Sequence, residues 1–171
     1  FAKRFSQEMK EGDIRTNALR NKFLTVGQAK VATSAYEAFE LGYLREGTDE
    51  VVVSRAHQLA YAKAVCLDMA NKGYQQTAKV KDIRVVGNEG MGIVYVGAHS
   101  MWSGNYMSEH DKVISEKLGY VLCGGDLSAP TDVSEQYLLD LERRAFLELC
   151  SEKKTLERLQ SLLQTGKILR N

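Results

Sequence analysis

The sequence predicts a mainly α-helical fold with at most short strand fragments, and three observations carry that expectation. Apolar residues recur at helical spacing along most of the chain. Serines and acidic residues stand where helices would begin, and glycines where they would end. Only one proline occurs in 171 residues, so long stretches are free of the residue that most strongly breaks helices. Hydrophobic residues make up 44% and charged residues 26%, an ordinary globular mixture. The length suits one domain, or one full core with a smaller appendage. A net charge of +1 gives no field that would favour nucleic acid or an anionic membrane. No apolar run approaches bilayer length, and no signal-peptide pattern opens the chain.

Taken in order, Phe1, Phe5 and Met9 fall on one face of a first helix. No initiator methionine or capping residue precedes it, so the chain is expected to be a piece of something longer. Thr16 is placed to cap a segment in which Leu19, Phe23 and Val26 share a face. Ser34 and Glu37 have the spacing of a capping box, and Gly42 ends that short helix. Glu50-Val-Val-Val53 is β-branched and is the best strand candidate. Ser54 begins a helix with Leu59, Ala62, Cys66 and Met69 on one stripe, stopping at Gly73. Residues 74–87 look like a linker followed by a strand at Ile83-Arg-Val-Val86. Residues 88–104 mix strand composition with helical spacing of Met91, Val94, Ala98 and Met101, and are read as a helix loosened by Gly92 and Gly97.

The last third is more regular. Ser108-Glu-His-Asp111 starts a helix with acidic residues at its positive pole, and Gly124-Gly125 ends it. Asp126 to Pro130 forms a turn. Asp132-Val-Ser-Glu135 caps a helix bearing Leu138, Leu141, Ala145 and Leu149, and Ser151 caps a final one that Gly166 stops.

The search for chemistry is mostly negative. The sequence has no dinucleotide fingerprint, phosphate-binding loop, nucleophile elbow or zinc-type cysteine spacing. Ser108-Glu-His-Asp111 concentrates an imidazole and two carboxylates, but consecutive helical residues diverge and cannot meet on one ion. His110 is read instead as a partner for a neighbouring helix. Cys66, Cys123 and Cys150 are odd in number and far apart. They are expected to be buried, reduced thiols in a cytoplasmic setting. Lys153, Lys154 and Arg158 alternate with acids as a solvated face would. Lys167 and Arg170 follow the last helix with no acid nearby, which leaves them able to meet an anion.

Two stretches resemble a known family. Val31-Ala-Thr-Ser-Ala-Tyr-Glu-Ala-Phe-Glu-Leu-Gly-Tyr-Leu44 followed by Glu50-Val-Val-Val53 resembles a segment of the crotonase (enoyl-CoA hydratase/isomerase) superfamily. Residues 133–147 and 154–167 resemble that superfamily's closing helices. Ser108-Glu-His-Asp111 and Leu122-Cys-Gly-Gly-Asp-Leu-Ser128 are similar to bacterial multifunctional 3-hydroxyacyl-CoA dehydrogenases with a C-terminal crotonase-like region. The likeness runs from about Ala2 to Asn171.

It implies a helical C-terminal portion of that region, divided as 1–73 (end of the crotonase-like core), 74–107 (linker and ambiguous helix) and 108–171 (closing helices). The parent would bind NAD and acyl-CoA in fatty-acid β-oxidation, whereas this piece carries no cofactor. The oxyanion donors and first catalytic glutamate would lie upstream, and no acid stands at Leu24-Thr-Val-Gly27, where the second aligns. No catalytic or metal-binding residue therefore carries over, and the piece is expected to be structural and inactive alone. Lys167 and Arg170 are the candidate contacts for a CoA phosphate. Its expected partners are the rest of the parent polypeptide, acyl-CoA and a second copy of the protein, with no nucleic acid and no membrane span. The competing reading is a self-contained helical binding or scaffold module.

Overall fold

The computed structural model describes residues 1–10 and 12–171. Among them the chain forms α1 (Ala2–Glu8), α2 (Arg15–Gly27), α3 (Ala35–Glu40), a 3₁₀ turn (Arg55–His57), α4 (Gln58–Asn71), β1 (Ile83–Val85), α5 (Asn88–Ser103), α6 (Glu109–Cys123), β2 (Thr131–Val133), α7 (Glu135–Cys150) and α8 (Lys153–Thr165). The fold is mainly helical, as the apolar spacing predicts, with one two-stranded sheet. Phe1–Ala29 and Val80–Asn171 make one compact unit, and Lys30–Lys79 make a second.

The first unit holds two apolar clusters. In one, Phe5 of α1 and Leu19 of α2 meet Met91 and Val94 of α5 and Leu122 and Cys123 of α6. In the other, Ile83 and Val85 of β1 pack with Val133 of β2 and with Leu138 and Leu141 of α7. The strands pair antiparallel, with Ile83 opposite Val133 and Val85 opposite Thr131. Arg84 reaches its cross-strand neighbour Asp132 at 3.2 Å. On the other side of Arg84, its backbone N–H donates to Ser6 Oγ at 2.8 Å, so a donor that pairing leaves over is satisfied by α1.

Helices α5 and α6 form the most extensive helix pair, and glycine is the reason they approach so closely. A Cβ on Gly119 would stand 2.4 Å from Val94 Cγ1, and one on Gly90 would stand 2.4 Å from Val86 Cγ2 and 2.7 Å from Cys123 Sγ. Gly92 and Gly97, on the same α5, face open space. The ends of α6 follow the pattern of its sequence: Ser108 and Asp111 form a reciprocal capping box, and Gly124 closes the helix in the left-handed conformation at φ 90°.

The second unit contains α3 and α4, and none of its residues is buried. Ser34 caps α3 by accepting from the Glu37 N–H. The Glu37 carboxylate accepts from the Thr33 N–H and hydroxyl, one residue earlier than a reciprocal box requires.

Several expectations are corrected. Glu50 to Val53 is not a strand, because no strand of the second unit lies beside it to pair with, and Val53 is 94% exposed. The partner of β1 is Thr131–Val133, a stretch whose sequence marks the approach to a helix. Thr16 lies inside the first turn of α2, whose N-cap is Ile14. Ser134, not Asp132, caps α7 by accepting from the Tyr137 N–H. Ser151 does not cap α8; its hydroxyl donates to the Glu148 carbonyl and closes α7 instead. Of the three cysteines only Cys123 is buried, since Cys66 sits on the exposed stripe of α4 and Cys150 at the end of α7 is half-buried.

Candidate functional site: an apolar groove on the first unit

Helix α7 carries more apolar residues than one buried face can use. Leu138, Leu141 and Ala145 point into the core, but Leu139 and Phe146 stand about half exposed at 47% and 54%. These two, with Leu118 and Val121 of α6 and the end of α2, line an open groove of about 640 Å³. Leu138 and Ala145 also line it, so the groove is continuous with the buried core.

Its charged groups sit among the aliphatic ones. Lys3 and Glu135 approach to 3.9 Å, and the Lys117 ammonium pairs with Glu148 while its stem lines the groove. Glu142 is the lining carboxylate outside those two pairs. The titratable side chains in the lining are two lysines and two glutamates, with no imidazole, thiol or hydroxyl among them. The lining is therefore mostly aliphatic and aromatic, with its charged groups set among those surfaces.

The Ser108-Glu-His-Asp111 cluster has become part of the scaffold. His110 is 4% exposed, and its Nε2 lies 2.9 Å from Thr155 Oγ1 of α8, the helix partner its position predicts. Burial lowers its pKa, and the positive charges of Arg158 and Lys154 lower it further. Asp111 is held the opposite way: burial alone would raise its pKa, but hydrogen bonds from Arg158 and Ser108 outweigh that and keep it low.

Arg158 is not the solvated residue its alternating neighbours imply. Its guanidinium donates to Asp111 Oδ1 at 2.6 Å and to Asn171 Oδ1 at 2.8 Å, tying α8 and the tail to the start of α6. The sequence held a signal for this: an arginine on α8 and an unpaired carboxylate of a capping box are complementary, but only the fold puts them together.

Cys123, fully buried at the end of α6, has its thiol pKa pushed up to about 12 by burial, the state of an inert structural cysteine. Lys167 and Arg170 lie exposed in the tail beyond α8, where the Lys167 carbonyl accepts from Ser161 Oγ at 3.2 Å. Neither makes an ion pair among the described residues. Also among the described residues, no group of three or more His, Cys, Asp or Glu is placed to hold a metal ion. No helix of the described residues is long and apolar enough to cross a membrane.

The chain is 39% identical over 167 residues, 98% of its length, to a probable 3-hydroxyacyl-CoA dehydrogenase of Bacillus subtilis (strain 168). It spans only 21% of that protein. No family model matches the chain, and no solved structure does. The similarity thus runs through both compact units, from end to end, and is to a fraction of a much longer dehydrogenase.

Proposed function

We propose that this chain is a helical, non-catalytic portion of a multifunctional 3-hydroxyacyl-CoA dehydrogenase and enoyl-CoA hydratase of cytoplasmic fatty-acid β-oxidation, belonging to its crotonase-like region. The observation that carries the reading is the 39% identity across 98% of the chain to a protein of which it spans 21%. The character of the groove supports it. An apolar surface with no acid–base pair suits an assembly role, and NAD and the reacting part of acyl-CoA then belong to the parent.

In this reading the groove receives an amphipathic helix from another part of the same polypeptide. Its apolar face lies on Leu118, Leu139 and Phe146, and a lysine or arginine on its flank meets Glu142, a helix-in-groove arrangement. Lys167 and Arg170 supply exposed, charge-assisted contacts to a CoA phosphate of the parent.

Two measurements test the reading together. The isolated chain is incubated with crotonyl-CoA, and separately with 3-hydroxybutyryl-CoA and NAD; no turnover above buffer is expected, and turnover of either substrate would overturn the non-catalytic role. Leu139→Asp with Phe146→Asp is then compared in the isolated chain and in the parent enzyme. Both positions are about half exposed, so the two substitutions together should cost the isolated chain no more than about 1 kcal/mol. The parent should lose thermal stability and activity. An unaffected parent would leave the groove without an occupant and favour a free-standing scaffold module.

A further inference from the structure

A second cleft lies away from the groove, between α5 and α6. Helix α5 presents Tyr95, His99 and Trp102 at i, i+4 and i+7, one helical face. Helix α6 presents Lys112 and Glu116, four residues apart, on the opposite wall. The space between them is about 360 Å³ and is lined by Tyr95, Val96, His99, Ser100, Lys112 and Glu116. At its end the Trp102 ring lies 5.5 Å from the His99 ring, centre to centre. Lys112 Nζ stands 5.4 Å from the Trp102 ring centre and 3.4 Å from Glu116 Oε1. Tyr95 is 50% exposed, so aromatic surface that a core would normally cover is left facing the cleft.

The charges decide what such a cleft can hold. Because the Lys112 ammonium is already balanced by Glu116, the cleft has no surplus positive charge with which to capture a bare phosphate. What it offers is π surface on one wall, with a hydrogen-bond donor beside an acceptor on the other. The complement is a flat, neutral ring system whose edge carries a donor next to an acceptor. Purine bases have that edge: adenine sets an amino group beside a ring nitrogen, and guanine sets N–H donors beside a carbonyl. Two fused rings also span the distance between successive turns of α5 that separates Tyr95 from His99.

We propose that the α5–α6 cleft binds a purine base, stacked on Tyr95 and His99, with Glu116 accepting from the base's N–H group and Lys112 donating to its neighbouring acceptor. This inference is independent of the dehydrogenase reading: it rests on side chains of this chain alone, and it holds or fails whether or not the parent is an acyl-CoA enzyme.

Trp102 is the only tryptophan in the chain, so its fluorescence reports on this site and no other. The whole chain is titrated with AMP, GMP and ribose 5-phosphate, following Trp102 emission and heat of binding together. At least one purine nucleotide should bind saturably in the millimolar range or tighter and change Trp102 emission, and ribose 5-phosphate should do neither. Glu116→Gln and Lys112→Met should each raise the dissociation constant about tenfold, with the helical circular dichroism unchanged. Should Lys112→Met disturb the fold, Glu116→Gln and Tyr95→Ala carry the test. The proposal is overturned if neither nucleotide binds, if ribose 5-phosphate binds as well as they do, if binding leaves Trp102 emission unchanged, or if the variants that fold bind at full strength.

Discussion

Helices α4 and α5 look alike in sequence and differ in everything the fold does with them. Each carries a stripe of apolar residues at helical spacing, Leu59, Ala62, Cys66 and Met69 on one and Met91, Val94 and Ala98 on the other. Within the first unit the α5 stripe is buried against α6, whereas in the second unit no residue is buried and Leu59 is 83% exposed. Periodicity therefore specifies a helix and a face, but the presence of a covering surface is a separate property that the stripe does not encode.

The largest effect expected from this contrast comes from truncating one leucine of each unit. Leu122 is 8% exposed and sits among Phe5, Leu19 and Cys123. Leu122→Ala should cost roughly 2–5 kcal/mol in urea unfolding. Leu59→Ala should change the free energy by less than about 0.5 kcal/mol. Equal losses would mean that α4 is covered in solution by a surface the fold does not display.

A smaller effect separates two glycines of a single helix. Gly90→Ala puts a methyl group into the space of Val86 and Cys123 and should destabilise by about 1–3 kcal/mol. Gly97→Ala meets nothing within 4 Å and should stabilise the chain by roughly 0.5–1 kcal/mol through better helix propensity. Thermal melting of the two variants checks the pair. A destabilising Gly97→Ala would show that the open face of α5 needs its glycine.

The smallest effect is a pH dependence centred on His110 of the first unit. His110 has a lowered pKa in the folded chain, so below the ordinary histidine value of about 6.5 the unfolded chain takes up a proton that the folded one refuses. Stability is therefore complete above that pH and declines as pH falls towards the folded value. Asp111, also lowered, adds a loss in a more acidic window, below the usual carboxylate pKa. The urea midpoint should drop between about pH 7.5 and about pH 5.5 in the wild type, and His110→Gln should flatten that drop. An equal drop in the variant would place the titrating group elsewhere.

How much of this was legible depended on whether the signal was local. The helix class, the Ser108 capping box and the left-handed stops at Gly42, Gly124 and Gly166 all follow from neighbours within a turn or two, while the His110 contact was legible only in kind, since its partner Thr155 lies 45 residues away. Three features do not. The pairing of Ile83–Val85 with Thr131–Val133 joins residues 48 apart at Arg84 and Asp132. The Arg158 hydrogen bonds join residues 47 and 50 apart. The groove arises because α7 has more apolar residues than its core face needs, and an excess of that kind names no partner. Val51 to Val53 failed for the converse reason, since β-branched residues favour a strand only where another strand is in reach.

The division of the first unit by Lys30–Lys79 has one further consequence. The Arg84 N–H bonded to Ser6 Oγ closes a circuit of 78 residues, and the whole second unit lies inside that circuit. The entropy lost on closing a flexible circuit grows only with the logarithm of its length, about 0.6 kcal/mol for each doubling. To the first unit, then, the segment between Ala29 and Val80 is nearly weightless. Its length can change through insertions and losses at little entropic cost to the closure of the first unit, so the loop it forms in the chain is tolerant of such changes.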